Sequence, residues 1–405
     1  PGVGRDPKRI LLVNVSLGIG GAERQFVELA RALLESGVRK DQLHVAVFSL
    51  DQDRGHAHFL PDLEALGIPI HQLADCTVVN PQFTPQERKM IEALPKNLRE
   101  DVRILLPLVN ELQPDVLHGW QDRSSAVCSI VGTAASVNRI VISARNMSPA
   151  TRRDKSLVLN EALFREMVSK DNVMVSANSR IAAEDYAKWL QCDQDRIDVI
   201  PNAVDMSRYP LLPETANMPE PVGPVRIGGV FRLAINKRPL LWLRTIQALR
   251  QEQGIDLEPF LFGSGPLAHE VEVEAEKLGL SDLVIRSGVV DPMALYGDLD
   301  VVLLMSQVEG LPNVLLEAQA MGKPVIACDV GGVREAVKRA GKGAGLILDA
   351  QVTPSDAAAQ IAAWLPSARS APPYLIQLHI SNAFDPKSLA ARTMESYRGH
   401  KGGKI

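Results

Sequence analysis

Residues 9–37 read RILLVNVSLGIGGAERQFVELARALLESG, and this stretch decides the fold. Residues 9–16 are a short apolar, β-rich run, which predicts a buried strand. Gly18, Gly20 and Gly21 follow as a turn. Beyond them Ala22, Phe26, Leu29, Ala30 and Leu33 recur at helical spacing until Gly37 ends the pattern. Residues 44–50 (HVAVFSL) read as the next strand. Strand, glycine turn, helix and strand make a βαβ unit, which implies parallel strands joined by a crossover.

The same alternation runs outward from this unit. Residues 115–118 (DVLH), 138–144 (NRIVISA) and 172–176 (NVMVS) read as strands, a helix is expected over 179–190, and another strand over 197–200. Residues 206–224 carry five prolines at 210, 213, 219, 221 and 224 and no periodicity, which predicts a linker or hinge. The alternation then restarts with strands over 225–230, 258–262, 283–287, 301–305 and 324–328 and helices over 239–252 and 267–278. The expected fold class is α/β, with two Rossmann-like doubly wound domains facing across a cleft. The expected boundaries are 1–205, 206–384 and a terminal helical segment 385–405 with Pro386 in its first turn. In such sheets ligands sit beyond the carboxyl ends of the strands, so the loops after strands carry the functional candidates.

Whole-chain properties fit this layout. A chain of 405 residues exceeds one ordinary core. The formal net charge of −4 argues against nucleic acid as the main partner, because phosphate binding needs a basic surface. Cys76, Cys128, Cys192 and Cys328 form no CxxC pair, so neither structural zinc nor a disulfide framework is expected, and a reducing cytoplasmic setting fits. No run approaches the roughly 18–20 apolar residues of a membrane span. The opening PGVGRDPKRI has neither an initiator Met nor a signal-peptide core, as in a processed or trimmed chain. Peripheral membrane contact is left open.

Residues 306–327 (SQVEGLPNVLLEAQAMGKPVIA) hold the strongest chemical signal. A strand delivers the chain to a loop of Glu309, Gly310, Leu311, Pro312 and Asn313, and a helix begins near Asn313 with Glu317 about one turn inside it. Free N–H groups at such a start suit an anion or oxyanion. Two carboxylates facing one cleft can accept hydrogen bonds from vicinal sugar hydroxyls. Glutamates that merely complement the helix dipole are the bland alternative, which the Gly-Leu-Pro loop disfavours. Arg232 and Lys237 in GVFRLAINK (229–237) end the second half's first strand, and two fixed cations there suit a diphosphate; read alone they are as well explained by a solvated loop. Gly263 in GSGP (263–266) is a turn glycine or a close-approach site.

In the first half, Gly18, Gly20 and Asp51 sketch a dinucleotide fingerprint, but Glu23 stands where the third glycine belongs and would oppose a pyrophosphate. Glu23 reads instead as a helix cap. His118 is placed at a strand's carboxyl end, where a satisfied structural histidine is the competing reading. Arg145 and Asn146 close a strand, and the basic run of Arg152, Arg153 and Lys155 follows, read first as solvated, with an acceptor's phosphate or an anionic membrane as the alternatives. Asp51-Gln52-Asp53, Asp193-Gln194-Asp195 and Asp298-Leu299-Asp300 are each formally DxD, a pattern common by chance, so no metal is assigned.

Taken together, Glu309-Gly310-Leu311-Pro312, Leu316-Glu317-Ala318 and Ala320-Met321-Gly322-Lys323-Pro324-Val325-Ile326 resemble the E-x7-E region of the family 4 retaining glycosyltransferases of GT-B fold, of the kind that build bacterial cell-surface polysaccharide and lipopolysaccharide. Asp329-Val330-Gly331-Gly332 resembles the family's next block. Ile200-Pro201-Asn202-Ala203-Val204-Asp205 resembles its interdomain IPNGVD, with Ala203 in place of glycine, and Phe231-Arg232-Leu233 departs mildly from the usual GRL. The resemblance implies a nucleotide-sugar donor, commonly a UDP-sugar, in the C-terminal domain and a glycan or lipid-linked acceptor in the N-terminal one. It places Glu309 at the donor sugar, Glu317 on the ribose, and Arg232 and Lys237 on the diphosphate. Gly20 and Gly21 lie against donor phosphates and sugar, His118 near the sugar, and Gly263, Val290, Gly310, Leu311 and Asn313 around the nucleotide. The terminal helix would cross back to the first domain. A cofactor and an essential divalent metal are not required by this reading. An epimerase or phosphorylase of the same fold, a nicotinamide oxidoreductase using the Gly18 loop, and a catalytically dead nucleotide-sugar binder are the alternatives.

Overall fold

A computed structural model describes residues 6–74, 83–155, 161–214, 223–288, 291–337 and 343–399, with only the backbone of Asn97. The chain divides into two compact units. The first comprises residues 1–203 and 386–405, the second 204–385. The chain therefore passes between units twice.

The first unit holds a sheet of β1 (Ile10–Ser16), β2 (Leu43–Ser49), β3 (Ile70–Gln72), β4 (Val116–Trp120), β5 (Arg139–Ala144), β6 (Val173–Ala177) and β7 (Ile197–Val199). Its order is β3-β2-β1-β4-β5-β6-β7, every pair parallel. The strands read as near-continuous apolar runs because helices cover a parallel sheet on both faces. Helix Gly21–Glu35 buries Phe26, Leu29 and Leu33 against Ile10, Leu12, Val45 and Val47. Helix Pro386–Arg398 adds Leu389, Met394 and Tyr397 to that same core, although more than 180 residues of the second unit precede it in sequence. Arg392 donates to the Val199 carbonyl (3.2 Å) and Ser396 to Asp198 (2.7 Å).

The second unit repeats the plan with β8 (Val225–Val230), β9 (Leu257–Phe262), β10 (Val284–Arg286), β11 (Val301–Leu304), β12 (Val325–Cys328) and β13 (Gly345–Leu348), again all parallel, in the order β10-β9-β8-β11-β12-β13. Trp242, Leu303, Leu304, Leu315 and Ile326 are at the centre of its core.

Strand order reverses between β1 and β4 in one sheet and between β8 and β11 in the other. Neighbouring crossovers there leave to opposite faces, so the loops at the strand ends splay and leave room for a ligand. Those loops are residues 17–20 and the turn after Trp120, and residues 231–237 and 305–312.

Candidate functional site

In the second unit, β8 gives way to Phe231-Arg232-Leu233. This loop is fixed by the chain after β9: Phe231 N–H donates to the Phe262 carbonyl (3.0 Å), Leu233 N–H to that of Ser264 (2.9 Å), and Leu267 N–H to that of Leu233 (2.9 Å). A Cβ on Gly263 would lie 2.0 Å from the Phe231 carbonyl oxygen, and one on Gly265 2.4 Å from that of Leu233. These glycines are therefore required by backbone meeting backbone; their task is to seat the Arg232 loop. Arg232 itself is exposed and has no ion-pair partner among the described residues.

Lys237 closes a short 3-10 turn, Ile235–Lys237. Its Nζ is 2.5 Å from Oε1 of Glu309, which is only 6% exposed. The Glu309 loop is stitched on both sides, since Gln307 N–H donates to the Asn236 carbonyl and Gly332 N–H to the Gly310 carbonyl, each at 2.8 Å. Arg238, in the left-handed region at φ 49°, spreads its guanidinium over three carbonyls: Met305 (2.6 Å), Ser306 (2.9 Å) and Ala350 (2.8 Å). Nothing in its sequence neighbourhood announced this, because its acceptors lie 67 to 112 residues away.

Helix Asn313–Ala320 starts directly after Pro312, as the Gly-Leu-Pro loop predicts, and Leu311 points its side chain into the core at 5% exposure. Glu317 is 7% exposed and accepts a hydrogen bond from the Tyr296 hydroxyl (2.9 Å), so it is no solvated surface residue. Val290 lies outside the described residues. The carboxylates of Glu309 and Glu317, the cations of Arg232 and Lys237, and the loop of Gly310 thus belong to the carboxyl ends of β8 and β11, the switch point of one sheet.

In the first unit, Gly20 precedes helix Gly21–Glu35 in extended conformation. Glu23 stands in the first turn, where its carboxylate bonds its own backbone N–H; its Oε1 also accepts from Gln121 Nε2 (2.9 Å), and its Oε2 occupies the space a Cβ on Gly20 would need, 2.1 Å away. Burial raises the Glu23 pKa above its ordinary value, and the Gln121 bond only partly offsets it. Gln121 is held at φ 66°, a strained value for a residue other than glycine, at the turn from β4 into helix Gln121–Ala134.

His118 departs from expectation. It is the third residue of β4, because the strand runs on through Gly119 and Trp120. It is 2% exposed, Nδ1 is 2.7 Å from the Tyr397 hydroxyl, and Nε2 is buried without a partner. Burial, together with the nearby Arg145 charge, pushes its pKa down to about 3, so the ring is neutral. Arg145 stacks over the Trp120 ring at 4.3 Å, donates to the Ile200 carbonyl (3.3 Å) and bonds the Asn202 side chain. Arg152, read as solvated, instead pairs with the buried Asp122 carboxylate (2.6 Å), which also accepts from the Tyr186 hydroxyl (2.5 Å). Arg153 and Lys155 are exposed.

Of the DxD strings, Asp300 accepts from the Arg226 backbone N–H (2.8 Å) and pairs with its guanidinium (3.3 Å), Asp298 lies 3.9 Å from it, and Asp51 pairs with Arg54 (3.3 Å). Among the described residues no group of three His, Cys, Asp or Glu side chains is placed to hold a metal, and no helix is long and apolar enough to cross a membrane.

Two Rossmann-like units, each with charged or polar loops at its switch point, define the GT-B class of nucleotide-sugar enzymes. Comparison with known proteins agrees. Residues 19–208 match the family model described as Glycosyltransferase Family 4, and residues 217–372 match Glycosyl transferases group 1. The Vi polysaccharide biosynthesis protein VipC/TviE of Salmonella typhi is 27% identical over 81% of this chain, and the match spans 60% of that protein's length. A putative glycosyltransferase, EpsF of Bacillus subtilis, is 25% identical over 80% of this chain and 79% of its own. Among solved structures, Anabaena HepE in complex with UDP and glucose superposes with a TM-score of 0.73 at 19% identity, over 95% of this chain and 98% of that one, which establishes the shared fold. The chain belongs to the family 4-type, GT-B glycosyltransferases.

Proposed function

We propose that this chain transfers a sugar from a nucleotide-sugar donor, a UDP-sugar, to a glycan or lipid-linked acceptor in the assembly of a cell-surface polysaccharide, with retention at the anomeric carbon. The observation that carries the reading is the Lys237–Glu309 pair beside Arg232 at the switch point of the second sheet. A carboxylate and two cations on adjacent loops suit a donor whose sugar hydroxyls need acceptors and whose diphosphate needs positive charge. Support for the nucleotide comes from HepE, whose complexes contain UDP, UDP and glucose, and UDP-glucose.

In this reading Arg232 and Lys237 hold the diphosphate and Glu309 the transferred sugar. Glu317, Gly263, Gly310, Leu311, Asn313 and Val290 line the nucleotide, while Gly20, Gly21 and His118 serve the first unit's share. Negative charge grows on the terminal phosphate as the anomeric C–O bond breaks, so the cations stabilise the transition state more than the ground state. The acceptor hydroxyl forms the new C–O bond on the face the diphosphate leaves, and its proton passes to the departing phosphate oxygen. The chain's own groups supply the positive charge, and no metal is invoked. The surface of the first unit is left open to an anionic membrane.

A thermal-shift panel with UDP, GDP, ADP and NAD tests the reading. Stabilisation by UDP is expected, and stabilisation by NAD alone sinks it. Slow hydrolysis of a UDP-sugar by the wild type, lost in Glu309→Gln, is the second readout; an unchanged rate removes Glu309 from its role.

A further inference from the structure

Arg145 is the single Arg or Lys side chain in the buried class among the described residues. A buried guanidinium needs compensation for lost hydration, usually a carboxylate. Arg145 has none among the described residues. Two of its bonds go to neutral oxygens, the Ile200 carbonyl and the Asn202 amide, and the Trp120 face supplies partial cation–π compensation. A guanidinium offers five N–H donors, so these bonds do not exhaust it, and Nε is buried with no partner. Burial accordingly pushes its pKa down to about 9. Arg152, from the same strand-end loop, shows the ordinary solution, a pairing with Asp122.

The neighbours of Arg145 share the deficit. His118 on β4 has an unpartnered, buried Nε2. Asn178, directly after β6, uses its Nδ2 on the Arg145 carbonyl (3.1 Å) and leaves Oδ1 buried without a partner. Both side chains are 2% exposed. On three adjacent strands, an imidazole within β4, a cation just after β5 and an amide oxygen just after β6 therefore each keep a buried polar atom without a partner among the described residues. Donors with positive charge suit an oxyanion, and an amide acceptor suits a hydroxyl beside it.

We propose that the carboxyl ends of β4, β5 and β6 form a subsite for an acidic sugar, whose carboxylate or phosphate is bound by Arg145 and whose hydroxyl is bound by Asn178. The proposal rests on the glycosyltransferase reading above and adds the acceptor's chemical class.

Binding of methyl glucuronide, glucose 6-phosphate and neutral methyl glucoside to the wild-type chain, measured calorimetrically with and without saturating UDP, tests it. At least one charged sugar is expected to bind about tenfold or more tightly than the neutral one, and the better of the two identifies carboxylate or phosphate. Arg145→Gln is expected to erase that preference with UDP affinity unchanged, and Asn178→Asp to weaken charged-sugar binding through repulsion. Equal binding of charged and neutral sugars by the wild type, or no binding of any, overturns the proposal without requiring a variant to fold. So does a preference that survives Arg145→Gln. If Arg145→Gln instead weakens UDP and spares the sugars, the anion belongs to the donor and the proposal fails. Failure of the wild type to bind UDP or hydrolyse a UDP-sugar marks failure of the underlying reading instead.

Discussion

Glu309 and Lys237 illustrate how a charged pair can be held for chemistry. The lysine is partly exposed and the carboxylate nearly buried, so the pair is poised between protein and ligand. Lys237→Ala is expected to lower turnover by about 10²–10³-fold, as when one pre-organised charge at a developing anion is removed. Steady-state kinetics on a UDP-sugar check this, and a loss under threefold removes Lys237 from the reaction. His118 carries a pH consequence. Its pKa is near 6.5 when unfolded and about 3 when folded, so the unfolded chain holds the extra proton between these values. Stability is full above pH 6.5 and falls as pH drops below it, by about 1.4 kcal/mol per unit. Between pH 7 and 5 the wild type should therefore lose about 2 kcal/mol more than His118→Gln in chemical denaturation of the first unit. Equal slopes would place the imidazole in a more hydrated setting.

At the scale of elements, the Arg232 loop of the second unit depends on Gly263 and Gly265, whose backbone meets its own. Gly263→Ala brings a methyl against the Phe231 carbonyl in a backbone region unfavourable to side chains. It should cost more than about 1 kcal/mol and also weaken UDP binding, because the Arg232 loop is displaced. Gly254→Ala is the control: its φ of 65° is strained but nothing lies within 4 Å, so stability falls while UDP affinity holds. Equal UDP affinity in both variants would show that the loop tolerates the shift. Elements were also where sequence reading was strongest and where it first failed. The strand-and-helix alternation around residues 9–50 and 301–328 follows from local periodicity, and the corresponding elements form within a residue or so of expectation. β4 runs two residues beyond its expected end at His118, through Gly119 and Trp120. Gly119 is there because the Ser125 backbone approaches to 2.5 Å of where its Cβ would be. The partnerships of Glu23 with Gln121, Arg152 with Asp122 and Arg238 with three distant carbonyls had no local signal, since each depends on which strands become neighbours.

At the scale of the whole molecule, the division into units is not the division of the sequence into consecutive stretches. Helix Pro386–Arg398 supplies Leu389, Met394 and Tyr397 to the first unit's core and the hydroxyl beside His118. Truncation after Asp385 should therefore destabilise the first unit by several kcal/mol, the usual scale for deleting large buried side chains. The second unit keeps all its strands and should still bind UDP. Limited proteolysis followed by a UDP thermal shift separates the two effects, and a truncated chain whose first unit resists protease like the full chain would contradict the packing.

That returning helix also governs the timetable of biosynthesis. Domains that are continuous in sequence fold in the order in which they leave the ribosome. Here the unit begun first cannot seal its core until its last segment emerges, while the unit translated in between has all its strands already in hand. The nascent first unit waits, with the groove for Leu389 and Tyr397 open, through the synthesis of its partner. The synthesis of residues 204–385 is thus an interval in which a chaperone would find apolar surface of the first unit uncovered.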